Sequence, residues 1–311
     1  MKNAISQIKI IIKKKQYWRF ILTFFYFFLP KNFYGDYLFS YFDFYLWNKR
    51  LPSKSDNTLN SFMFYYKCKK DQNELKAFVS CKINCKIFLK NLGLEKYIVP
   101  TIKILNNINE VKNYEIKNKI ICKPSHYGGG KKLFKYGDNI NPVKFNNEEI
   151  ETIKDWLRWD YYKISREKNY KNIQKKIILE PILFNNNQIT DFKIWTFNHK
   201  VKMFQIVFWE KNKRERCFYN LNWEKMPFSI YDKPCENTFP KPKLFDEMIK
   251  LSEKISKNFK FLRVDLYTND EEIFVGELTN HPGNHGDIFL DKNGNYVGFE
   301  NEKKYSKLFL E

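Results

Sequence analysis

Arginine is scarce in this chain, 7 residues of 311, although lysine and arginine together number 55 against 35 acidic residues and the net charge is +20. The remaining 48 basic residues are lysines spread along the whole length. Nucleic-acid readers concentrate arginine and lysine in one patch or helix, so the pattern argues against a nucleic-acid partner and favours small anionic ones. Cysteine is sparse too: six residues, with no CxxC pair and no regular spacing, imply free thiols in a reducing cytoplasm. No hydrophobic run is long enough for a bilayer-spanning helix, since the most apolar stretch, 20–29, ends at Pro30 after ten residues. No small-residue cleavage site follows it, which argues against a signal peptide. Absent as well are a Walker A loop, a recognisable nucleophile triad, an internal repeat and a long low-complexity tract. Glycine is limited to 11 residues, yet three of them, Gly128, Gly129 and Gly130, are consecutive.

What is present is a folded composition, 43% hydrophobic and 18% aromatic, with ample core for one large or two modest domains. Residues 17–47 carry two aromatic runs and flanking lysines. They read as a helical segment that either packs on the main body or lies in a membrane interface. The polar stretch 51–73 suits a boundary, and 74–92 has apolar residues at helical spacing, with Lys82 and Lys86 one turn apart. A strand over 117–124 ends in Lys123-Pro124 and leads into Ser125-His126-Tyr127 and the three glycines. Glycines there let backbone amides close over an anion, and a flexible hairpin is the plainer alternative. Residues 147–170 read as helix and 175–183 as a strand. That strand buries Glu180 among Ile and Leu, which requires a partner, either a ligand group or a neighbouring lysine. A hairpin turns at Asn198-His199, with Asp191 and Lys193 on one face of its first strand. An amphipathic helix over 242–258 feeds a final hairpin over 261–286.

In that hairpin Leu262, Val264 and Leu266 alternate with Arg263, Asp265 and Tyr267. The second strand alternates as well, with Phe274, Gly276 and Leu278 on one face and Ile273, Val275, Glu277 and Thr279 on the other. Pairing Asp265 opposite Glu277 brings two carboxylates about 5 Å apart at Cβ, a spacing that suits Mg²⁺ shared with nucleotide phosphates. An exposed hairpin with a solvated charged face is the alternative. His281 and His285 are separated by Pro and Gly, so they form no helical zinc face and lie at the end of the site or on the surface.

The ordered set of lysine, glycine loop, strand glutamate, Asp-x-Lys, Arg-x-Asp and Glu before Pro-Gly resembles the ATP-grasp superfamily, and the wording is nearest its TupA-like, teichuronopeptide-biosynthesis branch. The segments that carry the resemblance are 121–130, 178–181, 191–194, 263–267 and 276–279. It implies an α+β fold of two lobes, antiparallel sheets with helices, clamping ATP. The lobes would be 58–183 and 184–304, preceded by a helical segment 1–57 and followed by a tail, 305–311. By the resemblance, Lys82, Lys123, Ser125, Gly128, Gly129, Gly130, Glu180 and Asp191 bind nucleotide. Lys193 and Arg263 neutralise phosphate charge during catalysis, and Asp265 and Glu277 hold Mg²⁺ with Thr279, Asn280 or water as the third ligand. Thr279 stands where related ligases have asparagine, and Cys81 where this branch has aspartate. The implied activity is amide formation through an acyl phosphate in cell-surface or capsular polysaccharide biosynthesis, joining an amine to a carboxylate such as a uronic acid. Segments 156–170 and 208–240 would recognise the acceptor. The alternatives are an ATP-grasp sugar kinase and an inactive nucleotide-binding scaffold at the membrane. The expected place is the cytoplasm, with peripheral contact at the inner membrane face through 17–47.

Overall fold

The computed structural model describes residues 28–70, 74–128, 132–184, 191–210 and 213–311. The first helix, α1 (Phe33–Asn48), starts where the Asn32 side chain accepts from the Gly35 amide and stops at Lys49 in the left-handed region. Helix α2 (Leu59–Lys67), capped by Thr58, falls inside the stretch expected to be a boundary, and its Leu59, Met63 and Phe64 are fully buried. The single helix expected over 74–92 is two, α3 (Glu74–Ser80) and α4 (Lys82–Asn91). The break comes at Cys81, which is extended, while the Lys82 amide donates out of the helix to the carbonyl of Ser125 (2.9 Å).

Two sheets follow. The first contains β1 (Lys103–Leu105), β2 (Lys119–Pro124), β3 (Leu133–Tyr136) and β4 (Ile177–Pro181) in the order β1-β4-β2-β3, every pair antiparallel. Helices α5 (Ile108–Asn113), α6 (Asn147–Arg158) and α7 (Tyr161–Ser165) belong to the same stretch of chain. Helix α6 opens on a capping box between Asn146 and Glu149, and its Ile150, Ile153 and Trp156 pack against Ile120, Cys122 and Leu179 of the sheet. The helix expected to run to residue 170 is interrupted after Arg158, and the chain resumes as α7 and a 3₁₀ turn, Lys168–Tyr170.

The second sheet joins β5 (Asp191–Phe197), β6 (Lys200–Glu210), β7 (Lys213–Tyr219), β9 (Phe261–Thr268) and β10 (Ile273–Thr279) in the order β10-β9-β5-β6-β7. The β5–β6 turn is the expected one, with Asn198 and His199 both at positive φ. A short strand β8 (Phe228–Ile230) pairs with β11 (Phe289–Asp291). One face of the large sheet is buried under α8 (Phe245–Ser256), whose Phe245, Met248, Leu251 and Ile255 pack with Ile194, Phe204, Val264 and Leu266. α4 contributes Phe88 and Leu89 to that same core, so part of the segment expected in the first lobe packs on the second sheet. One end of the opposite face is covered by α2 and α9 (Gly298–Leu310), which set Leu59, Met63 and Phe309 against Trp195 and Phe261. Residues 305–311, expected as a tail, therefore lie mostly within α9, and Phe309 is fully buried.

Two expectations change for local reasons. Strict alternation fails in β10, because the register shifts between Val275 and Glu277. Gly276 is the extra residue of a bulge, so Ile273 and Val275 face the α8 core while Phe274 and Glu277 face the other way. Free thiols are expected throughout, but Cys217 and Cys235 form a disulfide with their Cα atoms 5.6 Å apart; Cys68, Cys81, Cys85 and Cys122 are free and buried. A parallel bridge between Arg216 and Pro234 brings the two cysteines side by side. No helix among the described residues is long and apolar enough to cross a membrane.

Candidate functional site

The other half of that face of the second sheet is charged, because alternation puts one residue in two of β5 and β9 on it. Asp191 and Lys193 come from β5; Arg263, Asp265 and Tyr267 come from β9. Lys193 pairs directly with Asp265 across the two strands, and Asp265 pairs with Glu277 of β10, the opposition expected from the sequence. Lys193 Nζ donates to Asp191 Oδ2 (2.5 Å) and to Asp265 Oδ2 (2.7 Å). Arg263 grips both oxygens of Asp265, Nε to Oδ1 at 2.7 Å and Nη2 to Oδ2 at 2.8 Å, and also donates to Thr279 Oγ1 (3.1 Å). Burial pushes the Asp265 carboxyl upward, but Arg263 and Lys193 together outweigh it and hold the group below the usual carboxylate range. Asp191 goes the other way, since burial dominates over its single lysine.

The first sheet faces this cluster with a second one. Glu180 of β4, 3% exposed, is held by Lys123 of β2 (2.5 Å) and by Lys86 of α4 (2.6 Å). A neighbouring lysine is thus the partner that the buried carboxylate requires, and there are two. Burial alone would raise the Glu180 pKa, and the two ammonium groups bring it below its ordinary value. Lys86 also donates to the carbonyl of Val99 (2.8 Å) and the hydroxyl of Thr101 (2.7 Å). Lys82, one turn before, donates to the carbonyl of Tyr127 (2.8 Å) and lies 3.7 Å from Glu277 Oε2. Gly128 then passes so close to Glu277 that a Cβ there would stand 2.8 Å from Oε1, so the absence of a side chain lets the loop reach the carboxylate. Gly129 and Gly130 lie outside the described residues.

Five cations, Lys82, Lys86, Lys123, Lys193 and Arg263, thus meet four carboxylates, Glu180, Asp191, Asp265 and Glu277, in three ion-paired groups. Lys132 adds a sixth, its pKa lowered by burial and by Lys123. The excess is positive, as a polyphosphate requires. Among the described residues no group of three or more His, Cys, Asp or Glu side chains could hold a metal ion alone. Two opposed carboxylates with a hydroxyl beside them nonetheless fit Mg²⁺, which is bound through one or two carboxylates plus substrate phosphates rather than in an all-protein cage.

Two expected site residues are used inside the fold instead. Asn280 is 1% exposed and its amide donates to the carbonyl of Lys76 and the hydroxyl of Ser80, both at 3.1 Å, so Thr279 is the residue left on the ligand face. Ser125 is fully buried, its hydroxyl accepting from the Lys176 amide (3.2 Å). His281 and His285 are not on the surface either. His285 Nε2 is 3.0 Å from Asp43 Oδ2 of α1, and His281 faces Glu167 at 3.5 Å. Lys86 is the site residue that sequence reasoning noticed without assigning. Its one-turn spacing from Lys82 was the available signal.

Beside Lys193 and Arg263 the same sheet face opens into a cavity of about 180 Å³, whose wall continues through Gln205, Arg216, Tyr231 and Asp287. Arg216 and Tyr231 fall in the 208–240 segment, where no motif marks them.

A family model described as TupA-like ATPgrasp matches residues 62–298. No curated protein matches the chain. Among solved structures, D-alanine–D-alanine ligase from Helicobacter pylori is 17% identical over 75% of this chain and 62% of its own, with a TM-score of 0.37. The Bacillus anthracis D-alanine–D-alanine ligase complexed with ATP is 16% identical over 66% and 56%, with a TM-score of 0.39. The ligase PsnB complexed with minimal precursor is 12% identical over 75% and 62%, with a TM-score of 0.36. The chain thus spans less than two thirds of the length of each of these three proteins.

Proposed function

The chain belongs to the TupA-like ATP-grasp family, and on that premise we propose that it is an ATP- and Mg²⁺-dependent ligase joining a carboxylate to an amine through an acyl phosphate. The observation that carries this reading is the Lys193–Arg263–Asp265 cluster facing Glu277, with Gly128 against that carboxylate. Mg²⁺, held by Asp265 and Glu277, would screen the charge of the β and γ phosphates. Lys193 and Arg263 stand where charge on the transferring phosphoryl group builds up, and Lys123 and Lys86 attract the polyanion from the other sheet. Gly128 lets the loop backbone approach without a side chain in the way, which helps exclude water from a hydrolysable intermediate.

The finer reading places this reaction in cell-surface polysaccharide biosynthesis, with a carboxylate-bearing sugar such as a uronic acid as one substrate. The outward side of α1, where Tyr34, Leu38, Phe42 and Tyr45 are exposed, supports peripheral contact with the inner membrane face.

The test combines nucleotide binding with turnover. Mg-ATP at a hundred times its Kd should stabilise the protein by about 2.7 kcal/mol, and Asp265→Asn and Glu277→Gln should abolish that gain. An unchanged gain in both variants would refute the metal assignment. ADP release from ATP in a carboxylate screen that includes D-glucuronate, trapped with hydroxylamine as hydroxamate, is the expected turnover result. ADP release with a hydroxyl acceptor and no hydroxamate would make the protein a kinase.

A further inference from the structure

The 180 Å³ cavity next to Lys193 and Arg263 contains a carboxylate that the phosphate site does not use, Asp287. The residue is 5% exposed, and its buried Oδ2 has the Tyr231 hydroxyl beside it, whose own proton goes to the Gly286 carbonyl (2.9 Å), so that oxygen is left without a donor. Its backbone is clamped on both sides by Asn60 of α2: the Asp287 amide donates to Asn60 Oδ1 (2.9 Å), and Asn60 Nδ2 donates to the Asp287 carbonyl (2.8 Å). The carboxylate occupies the space of a missing side chain, since a Cβ on Gly283 would stand 1.9 Å from Asp287 Oδ1. The Pro282-Gly283 turn, with Gly283 at φ +67°, is therefore what admits Asp287 to the cavity.

A rigidly held, desolvated carboxylate without a donor on one oxygen is costly unless something supplies protons to it. The remaining wall includes Trp195, Tyr231 and Arg216, whose charge is met by Asp232 (2.8 Å) and which donates to the Ile230 carbonyl (2.8 Å). A cavity of 150 Å³ accommodates benzene, so 180 Å³ suits a molecule of amino-acid size and not a sugar nucleotide.

We propose that this cavity is the amine subsite of the ligase reaction, where Asp287 binds the ammonium of a small primary amine and takes its proton. The inference rests on the ligase reading above. The ammonium loses one proton to Asp287, and the freed nitrogen lone pair forms the C–N bond at the acyl carbon. The C–O bond to phosphate breaks with its electron pair on phosphate oxygen. The second nitrogen proton goes to the departing phosphate, and Asp287 returns its own to solvent. Lys193 and Arg263, shared between the cavity wall and the phosphate cluster, put the two half-sites in contact. The groups that face Asp287 are Tyr231, Arg216, Arg263 and Glu302. Burial dominates over the hydrogen-bonding and cationic ones and raises the Asp287 pKa to about 7, where a carboxylate can both hold and release a proton.

Glycine serves as the probe, measured by calorimetry on the full chain. With a carboxyl near 7, the ionised fraction rises about tenfold from pH 6 to pH 8, and glycine affinity should rise with it. Glycine betaine, which has no N–H, should show no such rise. Asp287→Asn, nearly isosteric, should weaken glycine at least about tenfold at pH 8 and flatten the profile, while keeping the Mg-ATP stabilisation that shows it folded. Wild-type glycine affinity that is absent or flat with pH overturns the assignment, even if the variant does not fold. The two readings separate cleanly. No ADP from the carboxylate screen, with an Asp287-dependent glycine profile, would remove the ligase and leave the amine site. ADP from an acid and an amine, with glycine binding indifferent to Asp287→Asn, would remove the amine site and leave the ligase.

Discussion

Replacing Lys193 by methionine isolates the charge balance of the second sheet. The ammonium holds Asp191 at 2.5 Å and Asp265 at 2.7 Å, and its side chain is 16% exposed. Asp265 keeps two bonds from Arg263 after the change, so the orphaned charge is chiefly Asp191, whose Oδ1 is already buried without a donor. Breaking one side of a buried ion pair costs about 3–5 kcal/mol. The lower end applies here, because burial already raises the Asp191 pKa and the group can protonate instead of remaining charged. About 3 kcal/mol corresponds to a loss near 6 °C in Tm at roughly 2 °C per kcal/mol for a chain of this size. Adding Asp191→Asn to Lys193→Met should recover about half of the loss, and the single variant's deficit should shrink as pH falls and Asp191 protonates. Thermal melts of the four-member cycle at pH 5 and pH 7.5 read both effects. A Lys193→Met loss under 1 kcal/mol, or strict additivity with Asp191→Asn, would refute the argument that this lysine neutralises both carboxylates in the absence of nucleotide.

Gly276→Ala places a Cβ 2.5 Å from the Tyr267 ring, so the bulge must shift; a loss of about 1–3 kcal/mol in urea unfolding is expected, and a neutral result would mean that the ring moves freely. Glu180→Gln leaves Lys86 and Lys123 without their shared counter-charge and should cost about 3 kcal/mol at pH 7. Because the folded Glu180 pKa is depressed, its contribution is present above the unfolded value and lost as pH falls through the folded one, so the gap between wild type and variant should close in acid. Burial lowers His285 to about 4 against an unfolded value near 6.5, so the unfolded chain binds the extra proton between those pH values and stability falls on acidification across that window. His285→Asn should remove about 3 kcal/mol of that pH dependence, and melts of both proteins from pH 7 to pH 4 would show parallel curves if the histidine is not responsible.

The charge pairs across β9 and β10 are legible in the sequence because hairpin pairing depends on the turn alone. The phase of β10 is not. Counting alternate residues from Phe274 to Thr279 assumes an unbroken pleat, and Gly276 inserts one residue, so Val275 enters the core and Glu277 the site. A lone glycine inside an alternating strand is the one available signal for such a bulge. Polar residues that end up buried are illegible for a different reason. Nothing in the sequence marks Asp36 and Arg166, or decides between the end of the site and the surface for His281 and His285; only the tertiary fold supplies the partners that make their burial tolerable. Asp287 belongs with them: it lies one residue past the motif that fixes the site, and its neighbours Arg216 and Tyr231 arrive from 71 and 56 residues away in sequence.

Those buried polar pairs also explain why the aromatic segment before residue 50 is joined to the site. Helix α1 gives Asp36 to Arg166 (2.9 Å) and to the hydroxyl of Tyr162 (2.7 Å), and Asp43 to His285. Asn48, the last residue of α1, donates to the carbonyl of His285 (2.9 Å), and the Trp47 ring lies where a Cβ on Gly286 would be 3.0 Å away. Each contact ends on the turn from Pro282 to Gly286 or on the 161–170 segment. The turn in turn positions Asp287, whose carboxylate fits only because Gly283 has no side chain. A helix that reads as an appendage is thus bonded, through the buried Asp36–Arg166 ion pair and hydrogen bonds to Tyr162 and His285, to the wall of the cavity beside Lys193 and Arg263. Shortening the chain to the family-matched core would remove Asp36, Asp43 and Asn48 together, leaving Arg166 and His285 buried without them, so α1 is part of the structure that shapes the site.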